Sequence, residues 1–493
     1  MSTFNLVRNS RVFFTTNVDA NTGVIPTSGS TITSSNTFEI QVLDGFSFSQ
    51  ATNADTITLS EAGNIPVRGQ RSFNTSLGNV EFSFSTYVRP ANTGGVITAE
   101  ESVLWNALFT SAAISATPVA TYAGTTITAS YAPSTGILAL SGTAHTYSGL
   151  VLGGTYALTG AIGVGANEFN TTVKVLTLSP TSSTFQYLSA PTSAAGPDGF
   201  DTDIKFWNSA WTSNLADATD TAVPVAFSQL TSALSDRNQL QKFGMYFVVD
   251  STMYAIDNCA MDGATIDFGL DGIATIAWTG KATTLRALPN TAVVSPANPG
   301  VFSGAGNATG TAAAKNTAAN YITNKLSTVK LKSNIGGVDG TTYTLALTGG
   351  SLSIANNITY ITPANLGIVN NAIGYFTGTR AVSGSINAYL RTGSSLVPNS
   401  TAKLLQDMLA ASTTTVDPKY LLQIEVGGSN NATRVELLMD AAMLQIPTID
   451  AQAVMSTTIN FTAQASAYVR TATSQYDIEN TNELRVRYFA PAA

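Results

Sequence analysis

The sequence predicts a mainly β protein built from two tandem copies of one unit, with a further β domain inserted into the first copy. Three observations carry that prediction. Most of the 493 residues alternate apolar and polar between turn clusters, the period-two pattern of strands with one buried face. A series of strand, short helix and strand pair occurs twice in the same order. The offset between the two series is 300 at the helix but 183 at the strand pair, so the first copy holds 117 residues more between those elements.

The clearest strand is VEFSFSTYV, with Val80, Phe82 and Phe84 on one face and Glu81, Ser83 and Ser85 on the other. An offset of 302 lays it on VSGSINAYL: Val80 falls on Val382, Phe84 on Ile386 and Tyr87 on Tyr389, and upstream Phe73 falls on Tyr375. Next comes a helix. TAEESVLWNALF sets Val103, Leu104 and Leu108 at helical spacing and opens with Thr98-x-x-Glu101, the form of a capping box. Its counterpart STAKLLQDMLAA carries Leu404, Leu405, Met408 and Leu409. The closing pairs are MDGATIDFGLDGIATIAWTG and LQIPTIDAQAVMSTTINFTA. They match Thr265–Ile266–Asp267 to Thr448–Ile449–Asp450, and Ile276 and Trp278 to Ile459 and Phe461.

This organisation assigns residues 1–112 and 241–287 to the first copy and 321–493 to the second. The stretch 288–320, rich in Gly, Ala and Pro and low in charge, reads as a linker. Residues 113–240 are the insertion. Its short, regularly spaced strands over about 115–195 suggest a small sandwich of immunoglobulin-like size. Further on, FSQLTSALSDRNQL reads as a helix. Since the second copy carries the same elements without it, the insertion is expected to be dispensable to the remainder.

Only 11% of residues are charged, where a soluble domain carries roughly 25%. Thr, Ser, Ala, Asn and Gly stand in their place, a surface suited to repeated protein–protein contact. Net charge is −7 and no basic run exists, which argues against tight DNA binding. A wall that DNA slides past is compatible with that balance, because like charges repel. The start of the chain, MSTFNLVRNSRVFF, lacks the apolar core of a signal peptide, and no run approaches the roughly 18 apolar residues of a membrane helix.

Groups for catalysis are scarce. Cys259, the only cysteine, sits between apolar neighbours and reads as a core residue, and the only histidine, His145, lies far from it in sequence. Glycines 304, 306 and 310 miss the dinucleotide fingerprint by one residue. Asp198, Asp201 and Asp203 have spacing a calcium ion could use, but turns show it as often. Asp267 and Asp271 are near each other, with nothing to mark a pocket around them. The expectation is a structural protein, not an enzyme, without cofactor or metal. A surface-displayed adhesin or glycan-binding protein is the alternative; it would favour aromatic-rich loops and a secretion signal.

A resemblance sharpens this reading. LVRNSRVFFTT and EAGNIPVRGQRSFNTSLGNVEFSFSTY, then YITNKLSTVKLK, GGSLSIANNITYITP, IGYFTGTRAVSGSINAYL and QIPTID, closely resemble the major tail tube protein of long flexible-tailed siphophages of the T-five group. The similarity covers most of the chain outside the insertion and keeps its order. It implies a tandem-duplicated tail tube fold, a β-sandwich or barrel with a flanking helix in each copy. It further implies homotrimeric, pseudo-hexameric rings stacked into a tube around a DNA-conducting lumen lined by a continuous β-barrel. The implied partners are further copies of the chain, the tape measure protein, the tail terminator or distal tail proteins, and DNA in transient passage, with no membrane insertion. The implied location is the virion tail, after assembly in the host cytoplasm. The resemblance includes a family member with an immunoglobulin-like domain at its C-terminus; here the insertion would take its place as decoration. On this arrangement the polar strand faces look into the lumen, and Glu81, Asp267, Asp271 and Asp450 are the candidates for keeping DNA from adhering.

Overall fold

A computed structural model describes residues 10–19, 21–26, 31–43, 45–57, 71–93, 96–109, 120–123, 128–132, 134–141, 150, 152, 155–162, 172–179, 182–187, 199–207 and 227–231. It also describes residues 240–249, 252–288, 302, 305–307, 321–333, 342–366, 368–392, 400–414, 419–427, 433–447, 449–450, 455–464 and 483–489. His145, Asp198, Thr448 and most of 288–320 lie outside these residues.

The fold is mainly β, as the alternation predicts, and one order of strand pairing occurs twice. In the first half Ser10–Thr15 pairs with Thr37–Ile40 and Phe243–Val249, and the latter pairs with Thr252–Asp267. The far end of Thr252–Asp267 pairs with Thr275–Ala282, which pairs with Arg71–Tyr87, which pairs with Ser47–Ile57. In the second half Thr328–Ser333 pairs with Thr342–Thr344 and Tyr420–Gly427, and the latter with Arg434–Leu444. The end of Arg434–Leu444 and the short Ile449–Asp450 strand both pair with Ser456–Ala463, followed by Ala381–Tyr389 and Ala346–Ala355. All of these pairs are antiparallel.

The corner in the first half is made by one long strand. Thr252–Asp267 pairs with Thr284–Leu288 near its start and with Thr275–Ala282 near its end, with a register shift between Met261 and Gly263. At the shift a side chain on Gly263 would press on the Ile354 carbonyl; only a residue without Cβ lets the two backbones come that close. The strand therefore serves both layers, and the core fills the space between them with Val80, Phe82, Trp278, Ile266 and Leu352 among its members. Cys259 is buried there, and burial pushes its thiol well above the usual range.

Two α-helices among the described residues close the layers. Ser102–Phe109 buries Leu104, Trp105, Ala107, Leu108 and Phe109, while Thr401–Thr414 buries Leu404, Leu405 and Met408 and leaves Leu409 half in solvent. The expected capping box does not form. Thr98 belongs to the Val96–Ala99 strand, and Glu101 carries the first turn by its carbonyl, which accepts from the Leu104 and Trp105 N–H groups.

The pairing registers move one sequence correspondence. Asp267 faces Thr275, and Asp450 faces Ser456. The turn is two residues shorter in the second half, so the last strands relate by an offset of 181, not 183. Ile276 then matches Thr457, Trp278 matches Ile459 and Gly280 matches Phe461. A packing exchange agrees with this. In the first half Phe82 lies over Gly280 across the pair; in the second Gly384 lies under Phe461. One ring fills the same place in both halves, supplied from opposite strands. Phe73 and Tyr375 also part company: Phe73 continues the long Arg71–Tyr87 strand, whereas Tyr375 belongs to a separate hairpin of Ile358–Ile361 and Gly374–Thr377.

The insertion holds a seven-stranded antiparallel sheet running from Ala120–Ala123 to Gly199–Trp207. It is a single hydrogen-bonded ladder and extends past residue 195, which a two-sheet sandwich ending there would not do. Phe185 and Phe206, on strands with two others between them, stack at 5.0 Å, so the sheet curls upon itself. The rest of the insertion corrects the sequence reading. Phe227–Thr231 is a strand, not a helix, and pairs with Arg485–Phe489 near the end of the chain. The inserted segment therefore contributes to the main sheet and is not wholly separable from it.

Candidate functional surface

One ladder runs through both halves. The end of Thr252–Asp267 pairs with Ala346–Ala355, from Gly263 against Ala355 to Asp267 against Ser351. Eight strands thereby join side by side, from Ser47–Ile57 at one edge to Ile449–Asp450 at the other. Side chains in adjacent paired positions share a face. Reading across the ladder, one row is Thr86, Ile276, Ile266, Leu352, Gly384 and Phe461, which faces the core.

The rows on either side face away. One is Tyr87, Thr275, Asp267, Ser351, Ser385 and Asn460; the other is Ser85, Ala277, Thr265, Ser353, Ser383 and Thr462. Every one of these twelve is exposed or half-exposed. Short hydroxyl contacts run along the face: Ser47 to Ser83 at 2.8 Å, Ser351 to Ser385 at 3.4 Å, and Thr458 donating to Asn387 Oδ1 at 2.9 Å. A surface of small hydroxyls and amides satisfies its own polar groups and offers no cluster of cations to phosphate.

Of the four carboxylates singled out from the sequence, the structure places two on this face. Glu81 is exposed on Arg71–Tyr87, and Asp267 is exposed at the end of its strand. Asp271 is exposed in the turn that follows Asp267, beside the face and not in it. Asp450 pairs with Ser456 at the free edge of the ladder, the position that Asp267 holds in the first half. The sequence reading missed a cation: Lys281 sits directly opposite Glu81 and makes an ion pair with Asp262 at 3.1 Å. Ser47, Ser49, Glu81, Thr279, Asp262 and Lys281 line one shallow concavity of the face. Its charges therefore offset one another locally, while Asp267 faces Ser351 and Thr275 with no cation opposite. The Asp201 and Asp203 backbone belongs to the inserted sheet, remote in the pairing scheme from this ladder.

Behind the face the structure buries charge that composition alone does not reveal. Glu436 binds Arg434 at 3.0 Å and also Arg487, all within the core. Glu100 pairs with Arg89 and accepts from the Gln41 N–H. Its neighbour Glu101 is fully buried, and burial pushes its carboxyl up to about 7. The Glu100 and Glu436 ion pairs lock elements together.

Comparison with known proteins bears on what this surface belongs to. The chain matches no protein-family model. It is similar to the tail tube protein pb6 of Escherichia phage T5, with 26% identity over 464 residues, which span 93% of this chain and 72% of that protein. The resemblance to a T5-like tail tube protein thus extends over nearly the whole chain. Similarity to a tail tube protein supports a structural role and not an enzymatic one. The alignment is long enough to include both halves of the ladder. No helix among the described residues is long and apolar enough to cross a membrane.

Proposed function

We propose that the chain builds the wall of a phage tail tube, with three chains per ring and the rings stacked around a lumen through which DNA is ejected into the host. The carrying observation is the eight-strand ladder: apolar on one face, small and polar on the other, and open at both edges. An open, twisted ladder of this kind is satisfied by closure with further copies, which removes the exposed edges. Each chain supplies two similar positions, so three chains make a pseudo-sixfold ring in which only the threefold is true symmetry. The two halves are the tandem copies 1–112 with 241–287, and 321–493, joined through 288–320, and the curled inserted sheet stands on the outer wall.

On this reading the Ser/Thr/Asn face is the lumen surface. Asp267 and Asp450 hold equivalent places, so three chains set six carboxylates at one level of the tube, with Glu81 and Asp271 nearby. They repel the phosphate backbone, and the hydroxyls give it nothing to hold. The ends of the tube meet the tail terminator and distal tail proteins, the tape measure protein occupies the lumen before DNA does, and rings assemble in the host cytoplasm. Electron microscopy of the purified protein tests this reading: hollow rings or tubes are expected, and discrete monomers at high concentration would contradict it.

A further inference from the structure

We propose that the junction between neighbouring chains copies the junction inside the chain residue for residue, so that Ser47 and Phe48 of one chain pair with Asp450 and Ile449 of the partner subunit. The proposal rests on the tube reading above and adds to it the strands and the register of contact.

The template is the internal junction, where Asp267 pairs with Ser351 and Ile266 with Leu352. Both sides of it have a counterpart at a free edge. Asp450 corresponds to Asp267, because each follows Thr-Ile and each pairs with the first residue of the next strand, Ser456 or Thr275. Ser47 corresponds to Ser351, because Ser47 faces Ser83, Ser351 faces Ser385, and the strands holding Ser83 and Ser385 match at an offset of 302. Among the described residues, Ser47–Ile57 pairs only with Arg71–Tyr87, and Ile449–Asp450 only with Ser456–Ala463.

Burial gives a second, independent sign. At the internal junction Leu352 is 0% exposed. Its counterpart Phe48 is only partly buried, held between Phe247 and Tyr254 with both ring centroids 5.1 Å away. An aromatic on a free edge, aligned with a core row but uncovered, is what a missing strand leaves. The register puts Ile449 of the partner subunit opposite it and puts Asp450 beside a serine, as Asp267 is inside the chain. A slip by two residues would keep the faces but misplace both.

Cysteine pairs read the register. Cα atoms of directly opposite residues lie about 4.5–5.5 Å apart, within disulfide reach, whereas diagonal neighbours lie at about 7–8 Å. The native Cys259 is buried and does not compete. Tubes of the Ser47→Cys, Asp450→Cys variant, assembled under reductant and then oxidised, should give covalent dimers and trimers on a non-reducing gel. The slipped pair Ser49→Cys with Asp450→Cys should link at least tenfold more slowly. Mixed singly substituted chains report the same contact if the double variant assembles poorly. Asp267→Cys with Ser351→Cys should close within one chain and calibrates the rate. Rings in which the slipped pair links and the 47–450 pair does not would overturn the register alone. An internal disulfide in a protein that never forms rings would overturn the tube reading and this junction with it.

Discussion

The two halves of the ladder share a pairing order and fill it differently. The first is packed with aromatics: Trp105 meets Trp278 edge-on at 4.9 Å, and Phe14 stacks on Phe243 at 4.6 Å. The second uses Leu404, Leu422, Ile424, Leu437 and Ile459 in the same cluster. The first helix is eight residues long and has almost no free face; the second is fourteen and shows Leu409 to solvent. Extra cover explains the contrast. Trp105 Nε1 donates to Tyr488 Oη at 2.5 Å, so the first helix lies under the chain's last strand, beside the strand at Phe227–Thr231. Backbone pairing is thus the shared feature, and side-chain volume is exchanged within it, as the Phe82–Gly280 and Gly384–Phe461 pairs show.

The largest way to break the comparison is excision. Replacing 113–240 by a short Gly/Ser linker removes Phe227–Thr231, one of two neighbours of Arg485–Phe489. Loss of assembly is expected, read by electron microscopy and by thermal unfolding. Replacing only 116–207 removes the curled sheet and leaves that strand, so rings should still form. Equal behaviour of the two deletions would show that the added strand does not matter.

The next effect is confined to the first half. Glu101, with its carboxyl raised from 4.5 to about 7 chiefly by burial, binds its proton more tightly folded than unfolded. Its contribution is fully present below pH 4.5, falls as pH rises from there to about 7, and stays low above it. The loss amounts to about 3 kcal/mol at most. Glu101→Gln should flatten that slope and raise the midpoint of unfolding at pH 8, as measured by denaturant titration across pH. The second half has Thr401 at the matching place and should contribute no such slope.

Smaller again is the exchange of ring and glycine. Gly280→Ala drives a methyl into Phe82 and should cost about 1–3 kcal/mol, and Gly384→Ala should cost at least as much, because its methyl meets the Ser351 carbonyl as well as the Phe461 ring. The swapped double variant Phe82→Gly, Gly280→Phe imitates the second half and should recover much of the loss. No recovery would mean that the halves differ in more than which strand supplies the ring.

Much of this was readable from residues alone. Val80, Phe82 and Phe84 alternate so cleanly that strand and buried face follow from period two, and the helices at Leu104 and Leu404 follow from their spacing. What failed did so for physical reasons. Period-two alternation is blind to a slip of two residues, so the sequence matches Trp278 to Phe461 whereas the cross-strand partners match it to Ile459. FSQLT fits a helix as well as a strand, and only a long-range partner at 485–489 decides it. Lys281 cannot be placed beside Glu81 from the sequence, because the residues that face each other lie 200 apart in it. The Ser/Thr/Asn recurrence was visible; its gathering on one face required the ladder.

The smallest expected effect leaves structure alone and reads passage. Glu81→Lys with Asp267→Lys should permit tail assembly and slow genome ejection, timed by release of DNA-bound dye. Unchanged kinetics would remove these two carboxylates from the lumen.

In the proposed ring, two unequal copies in each chain take one position in six apiece. A cryo-electron microscopy reconstruction of the tube, computed without imposed symmetry, tests it most directly. Three chains per ring are predicted, with strict threefold symmetry, three protrusions on the outer wall and a barrel that is sixfold only in its strand pairing. Six chains per ring, or six protrusions, would contradict the account.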